Sequence, residues 1–467
     1  MSATEREADA VDAVRFVDER LGAGSLARKA LRYVFPEHWS FLLGEVALYA
    51  FVFLILSGTY LALFFTPDVG SHAAYSGPFQ ELTGFSVTPA YESVLRLSST
   101  VPAGLVMRQA HHWAALVFVV AMVAHLARTF FTGAFRKPRE AIWMIGVLLL
   151  GAGVLEGFAG YSLPDDLLSG MGLAIAYAVA LSLPLLGGSV GALAWGGQYP
   201  GDGVIESRLY IAHVFLVPGL MVALIALHLG LVMRHHHTQF PGPGRTERNV
   251  VGAPMWPGYA LRSGGLMLLV FAVLVALGGL VQINPIWQWG PYEIDRATNG
   301  AQPDWYLGWL IGGLRIMPPL EIRVFGHTLV PNPFWAGALF PTVVFGYLLA
   351  HPGIESRLTR GRARAHHLLD RPRDHPWRTA FGAAFLTWVG SIFLAGSSDR
   401  LFFQVGIDYQ AQVHVYRVLV FVLPLVAFAA TKAVCDELRR TQASPLRGGP
   451  EVTLRRRADG GFDELRR

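Results

Sequence analysis

Eight long apolar runs alternate with polar connections along this chain, at roughly residues 41–66, 111–133, 141–163, 209–233, 260–283, 333–351, 379–396 and 413–433. Each is near the ~20 residues that carry a helix across ~30 Å of hydrocarbon. The pattern predicts an all-α membrane protein with eight transmembrane helices. One more apolar stretch, Leu167–Leu186, is interrupted by Gly170, Gly172 and Pro184. It reads as short helices near the membrane surface, with a ninth crossing as the rival. Residues 1–39 are polar and of mixed charge, with an amphipathic helix expected near Ala10–Val34. No short apolar run with a small-residue cleavage site precedes the first span, so no removable signal peptide is expected. The chain divides into an N-terminal segment (1–40), a first bundle of four spans (41–235), a second set of four (258–436) and a basic tail (437–467).

Loop charge sets an orientation. The connection between the second and third spans holds Arg136, Lys137 and Arg139. That between the sixth and seventh holds Arg357, Arg360, Arg362, Arg364, Arg371 and Arg373, and the tail after Val434 is rich in arginine. The first connection has only Arg96 and Arg108, and the last only Arg400. Basic loops stay in the cytoplasm. Both termini are therefore expected there, in a multi-pass protein of the cell membrane. Composition agrees: 53% of the 467 residues are hydrophobic and 15% charged, against roughly 25% charge in a soluble domain. That excludes a cytosolic globular enzyme, a disordered chain and a nucleic-acid module. The net charge of +5 is spread among membrane loops. The single cysteine, Cys435, excludes a disulfide framework, a thiolate zinc site, an iron–sulfur cluster and a CxxCH covalent haem site.

Four histidines fall inside apolar runs: His111 and His125 on the second span, His213 and His228 on the fourth. An imidazole facing lipid is costly, so an intramembrane histidine is a functional candidate. At about 100° per residue, the step from His111 to His125 leaves the two about 40° apart on one face, whereas His112 and His125 are about 140° apart. The step from His213 to His228 leaves about 60°. Each helix thus offers two ligands on one side, separated by roughly 21 Å along its axis. Side by side, two such helices make two stacked bis-imidazole sites, suited to two non-covalent b-type haems: an outer one on His111 and His213, an inner one on His125 and His228. Buried histidines hydrogen-bonded between helices are the plainer account of any one of them, and four at matched spacing weigh against it.

Gly44 and Gly58 on the first span, and Gly146 and Gly160 on the third, repeat the same step. Glycine admits a flat macrocycle close to the backbone, and also lets helices pack closely. Arg108 and Arg208 stand near the outer site and Arg128 near the inner one, as propionate partners or as interfacial anchors. Between the fifth and sixth spans comes Gln302-Pro303-Asp304-Trp305-Tyr306-Leu307-Gly308-Trp309, followed by a semi-apolar helix. It reads as an outer pocket in which a carboxylate accepts a proton and aromatic walls hold a flat ring. By itself the run is equally a capped helix start with interface aromatics.

Taken together these motifs resemble cytochrome b of the quinol–cytochrome c reductases and their photosynthetic relatives. Pro303–Tyr306 matches the family's Pro-Glu-Trp-Tyr with Asp for Glu. Arg108–His111 matches its Arg-x-x-His, His125 is followed by Arg128, and Gly160-Tyr161-Ser162-Leu163-Pro164 matches Gly-Tyr-x-Leu-Pro. The Asp variant and the run Phe35-Pro36-Glu37-His38-Trp39-Ser40-Phe41 look most like the actinobacterial, menaquinol-oxidising type. The resemblance covers about residues 30–435. It implies that quinol binds near Asp304 and Tyr306, flanked by Pro303 and Trp305. One electron goes to a Rieske iron–sulfur subunit and on to a cytochrome c subunit. The other passes through both haems to an inner quinone, protons leave outward, and the core is a homodimer that a terminal oxidase can join. Asp304 is one methylene short of the family's Glu, which puts its reach in question. Glu45 and Glu156, also in apolar runs, receive no role, and Arg234-His235-His236-His237 reads as a solvated loop with one histidine a candidate for the inner quinone. The alternative is a one-way transmembrane di-haem carrier of a reductase or dehydrogenase, which would not need Pro303–Tyr306. A cofactor-free transporter is opposed by the four-histidine geometry.

Overall fold

The computed structural model describes Phe16, Asp18, Arg20 and Gly24, and residues 31–201, 203–296, 302–359, 366–443, 452–456 and 462–466. The amphipathic helix expected near Ala10–Val34 falls largely outside these residues, as do Arg360, Arg362 and Arg364.

Long runs rich in Leu, Val, Ala and Phe satisfy their own backbone as helices, and eight of those described are long and apolar enough to cross a membrane. Apart from the single turn Ile286–Trp289, the described α-helices are, in chain order, α1 (Leu42–Ala62), α2 (Pro89–Ser99), α3 (Gly104–Phe131), α4 (Glu140–Tyr161), α5 (Leu167–Leu181), α6 (Gly187–Trp195), α7 (Val204–His235), α8 (Ala260–Leu280), α9 (Gly308–Ile316), α10 (Phe340–Leu358), α11 (Pro376–Ser397), α12 (Asp399–Gln404) and α13 (Tyr409–Ala443). The spans are α1, α3, α4, α7, α8, α10, α11 and α13. Leu167–Leu186 does not make a ninth: α5 and α6 hold 15 and 9 residues, and the longer reaches only about 22 Å. Start signals place the short helices. Thr88 accepts from Tyr91 N ahead of Pro89 at the start of α2, and Asp166 accepts from Leu168 N to cap α5.

Successive spans alternate, so the α1–α3, α4–α7, α8–α10 and α11–α13 connections share one face, the loop face. The remaining connections lie on the opposite, terminal face. The contacts follow this division: Thr88 meets Asp165, Arg108 meets Asn284 and Arg315 meets Gly396 on the loop face. On the terminal face, Arg139 reaches the carbonyls of His235 and His236. The α1, α3, α4 and α7 helices share a core of Ala50, Phe51, Phe118, Val119, Leu149 and Met221, on which Tyr306 and Leu307 rest from the loop face.

One departure from regular helix sits where the site is built. Ala212–Leu216, inside α7, is a π-turn. Pro218 follows it, lacks an N–H for the carbonyl four residues back, and its ring crowds that carbonyl, which widens the turn ahead of it. A second wide turn, Phe334–Leu339, likewise precedes Pro341.

Candidate functional site

The histidines meet in the expected pairs. The rings of His111 (α3) and His213 (α7) have centroids 6.2 Å apart, and those of His125 and His228 6.5 Å. Two metal–imidazole bonds of about 2 Å place the two ring centres roughly 6 Å apart, so both pairs fit axial ligation of one iron each. The π-turn explains the unequal spacing along the two helices. It takes up one residue, so the 15-residue step on α7 acts as 14 and the offset of its two histidines matches the about 40° between His111 and His125 on α3.

All four glycines face these rings. A Cβ on Gly44 would lie 3.1 Å from His125 Cε1, one on Gly58 3.1 Å from His111 Cε1, and one on Gly146 3.8 Å from His228 Cε1. On Gly160 it would run into the His213 ring. Around His111 and His213 a loop-face cavity of about 270 Å³ also takes in Gly58, Gly160, Arg108, Asp304 and Tyr306. Around His125 and His228 a terminal-face cavity of about 820 Å³ includes Gly44, Gly146, Arg128, Glu45, His237 and Tyr259. Mostly apolar walls with a few convergent polar groups suit a flat, hydrophobic cofactor.

Arg108 sends both terminal nitrogens to Asn284 O at 3.3 Å and leaves its Nε without a partner. Arg128 lies over the Phe41 ring and donates to Ser40 Oγ at 3.4 Å, with one Nη buried and unpartnered. Those spare donors fit an anionic group in each cavity. Arg208 differs from the expectation. Its guanidinium donates to Leu193 O and does not line the loop-face cavity, because it points from the first turns of α7 toward the neighbouring α6.

Asp304 is held at both oxygens. His112 Nε2 lies 2.7 Å from Oδ1, and Tyr306 Oη donates to Oδ2 at 3.0 Å. Burial first, and the neighbouring Asp304 next, push the Tyr306 hydroxyl well above its ordinary value, so it stays a donor. Trp305 and Tyr306 border an apolar slot of about 200 Å³ that runs between Phe130, Trp143, Trp309 and Phe345, while Pro303 lines neither cavity and fixes the backbone ahead of Asp304. His112 points away from His125 along α3, and that same direction carries it to Asp304.

The two unassigned carboxylates have partners. Glu45 accepts from Tyr259 Oη at 2.9 Å and Ser263 Oγ at 2.6 Å. Glu156 Oε1 lies 2.8 Å from His213 Nδ1. A glutamate within an apolar run was the visible signal for each. In the histidine run after α7, His237 Nδ1 meets Tyr33 Oη at 3.2 Å. Burial first, then Arg139 and Arg128, lower the His237 pKa to about 4, which keeps it neutral.

A family model described as cytochrome b(N-terminal)/b6/petB matches residues 116–291, which hold His125, His213 and His228. The chain is 46% identical over 451 residues to the cytochrome bc1 complex cytochrome b subunit of Streptomyces coelicolor, across 96% of this chain and 82% of that one. Subunits of the same description from Mycobacterium tuberculosis and Corynebacterium diphtheriae are 45% and 44% identical, across 96% of this chain and 81% and 82% of theirs. Among solved structures, a chain of a hyperthermophilic respiratory Complex III aligns with a TM-score of 0.66 at 19% identity, covering 91% of this chain and 99% of that one. That last likeness is one of fold.

Proposed function

This chain belongs to the cytochrome b subunits of cytochrome bc1 complexes, and from that premise we propose that it is the di-haem, quinol-oxidising subunit of a respiratory quinol–cytochrome c reductase. His111 and His213 would hold one b-type haem toward the outer face, and His125 and His228 a second toward the cytoplasm. Gly44, Gly58, Gly146 and Gly160 would clear the macrocycles, and Arg108 and Arg128 would take propionates. When bound, the two haems supply a one-electron relay across the membrane.

The residues do the rest. Quinol, menaquinol in this proposal, enters the loop-face cavity and gives up two electrons and two protons. Asp304 accepts a hydroxyl proton, Tyr306 and His112 hold that carboxylate toward the cavity, and the slot beside Trp305 and Trp309 takes the apolar tail. The first electron leaves to a Rieske subunit and on to a cytochrome c subunit, and the second crosses to a quinone in the terminal-face cavity. There Glu45 and His237 line the cavity as proton relays, each passing a proton to the quinone as it takes up another from the cytoplasmic side. With both termini cytoplasmic, quinol protons leave outward and quinone protons come from inside, so turnover translocates charge. A homodimeric core and a terminal oxidase complete the assembly we propose.

One observation carries this reading: Asp304, doubly held, lines the same cavity as the His111–His213 pair. The test is the optical spectrum and haem-to-protein ratio of the purified complex before and after menaquinol. Two b haems per chain that quinol reduces are expected. Colourless material, or full pigment after His111→Leu or His228→Leu, would overturn it.

A further inference from the structure

The far nitrogens of the four histidines are not treated alike. His213 Nδ1 faces Glu156 Oε1 at 2.8 Å and the Glu156 backbone carbonyl at 3.1 Å. A backbone carbonyl only accepts, so this nitrogen carries the proton and Nε2 keeps its lone pair for a metal. His111 Nδ1 lies 2.9 Å from Ser57 Oγ, whose own proton is directed to Phe53 O at 2.7 Å, so here too the imidazole donates. At the other pair, His228 faces the backbone carbonyl of Ile142, and among the described residues neither His125 Nδ1 nor His228 Nδ1 makes a hydrogen bond of ordinary geometry. The loop-face pair therefore has a bonded acceptor behind each ring, one of them a carboxylate, whereas the terminal-face pair has a backbone carbonyl near one ring and no carboxylate behind either.

An acceptor behind a ligating imidazole draws its N–H proton outward and makes the metal-facing nitrogen more basic. A more basic ligand favours the oxidised iron and lowers its reduction potential; second-shell hydrogen bonding and local charge are two of the levers a protein has over a haem. We propose that Glu156, through His213, sets the outer haem below the inner one in potential. With both haems bound, that difference would make one-electron transfer from the outer site to the inner one favourable. Glu156 is a positioning and tuning residue, since it touches the ligand and not the iron. A carboxylate in the apolar α4 helix is expensive, and this partner gives it a reason to be there. Its second oxygen, Oε2, is buried and unpartnered, so the carboxylate serves His213 alone among the described residues.

The inference rests on the di-haem reading above, and the test separates the two. Optical redox titration of the purified complex resolves two b components, and the haem-to-protein ratio is measured on the same samples. E156Q keeps an oxygen acceptor of the same length and removes the charge. It should raise only the lower-potential component, shifting the electron equilibrium between the haems about tenfold, or about 59 mV for one electron. The low-spin ferric electron paramagnetic resonance signal of that component should move with it. S57A should move the same component by less. Two bound haems with both potentials unchanged in E156Q, or both shifted equally, would overturn the proposal while leaving the di-haem reading intact. If E156Q loses a haem, E156D decides: an unmoved lower potential alongside two haems sinks the proposal, and a raised one supports it. Fewer than two haems in the unaltered complex would instead sink the reading beneath it.

Discussion

His112 Nε2 sits 2.7 Å from Asp304 Oδ1 and so ties the membrane helix α3 to the connection ahead of α9. With Tyr306 on the other oxygen, this carboxylate has a defined direction although it is one methylene shorter than the glutamate of the related motif. A positioned general base is worth about 10²–10⁴ in rate. Asp304→Asn should therefore leave both haem spectra unchanged and slow quinol oxidation by at least about 10², measured as quinol-dependent cytochrome c reduction. Unchanged turnover would remove Asp304 from the chemistry. His112→Ala should cost less, about 10-fold to 100-fold, by freeing the carboxylate.

The glycines offer a graded test. Gly146→Ala adds a methyl at ordinary contact distance from His228 and should keep both haems. Gly160→Ala puts one into the His213 ring and should lower the haem content toward one per chain. Haem-to-protein ratios of the two variants settle it, and equal ratios would detach these glycines from haem clearance.

On the loop face, burial pushes the Asp165 carboxyl up to about 7, against the Thr88 hydroxyl that donates to it at 2.7 Å, with Glu206 and Asp166 adding to the rise. An unfolded aspartate titrates near 3.9. The folded state thus binds this proton more tightly, and its contribution to stability is full below about pH 4 and is lost as pH climbs toward 7. Asp165→Asn mimics the neutral form. The unfolding temperature should then fall less between pH 5 and pH 8 in the variant than in the parent; parallel curves would contradict the assignment.

On the terminal face, Asp370 receives Arg378 at 2.6 Å, Arg136 at 2.9 Å and His375 at 3.2 Å. Burial by itself would raise its pKa, but the hydrogen bonds from His375 and Arg378 and the charge of Arg136 hold it well below the usual carboxylate range. This contribution is present above about pH 4 and is lost as pH falls through the depressed folded value. Asp370→Asn leaves the buried Arg378 with only Glu355 and should cost about 3 kcal/mol at neutral pH, read as a lower unfolding midpoint in detergent. A midpoint within error of the parent would show that the cluster is not structural.

How much of this could be read ahead of the structure follows from the range of each signal. Span number, the pairing of His111 with His213 and of His125 with His228, and the facing glycines all come from periodicity along single helices, which sequence displays directly. The spans were drawn short where polar ends remain helical, as at Leu358 beyond Pro352 in α10 and at Ala443 in α13. His112 to Asp304, Glu156 to His213 and Glu45 to Tyr259 join residues 192, 57 and 214 positions apart, and no local pattern announces such partners. Arg208 was placed by nearness in sequence to His213, but a long side chain at a helix start can turn to a neighbour instead.

Ala212–Leu216 makes angular phase, and not residue number, the quantity that α7 must conserve. Removing one residue inside that stretch would let it rewind as ordinary helix with both imidazoles still aligned. The same deletion just before His228 poses a dilemma: retain the wide turn and swing His228 by about 100°, or lose it and rotate the buried Met221 out of its packing. Insertions and deletions in this one helix should thus sort by location into silent and crippling, an asymmetry that α3, which has no such slack, would not display.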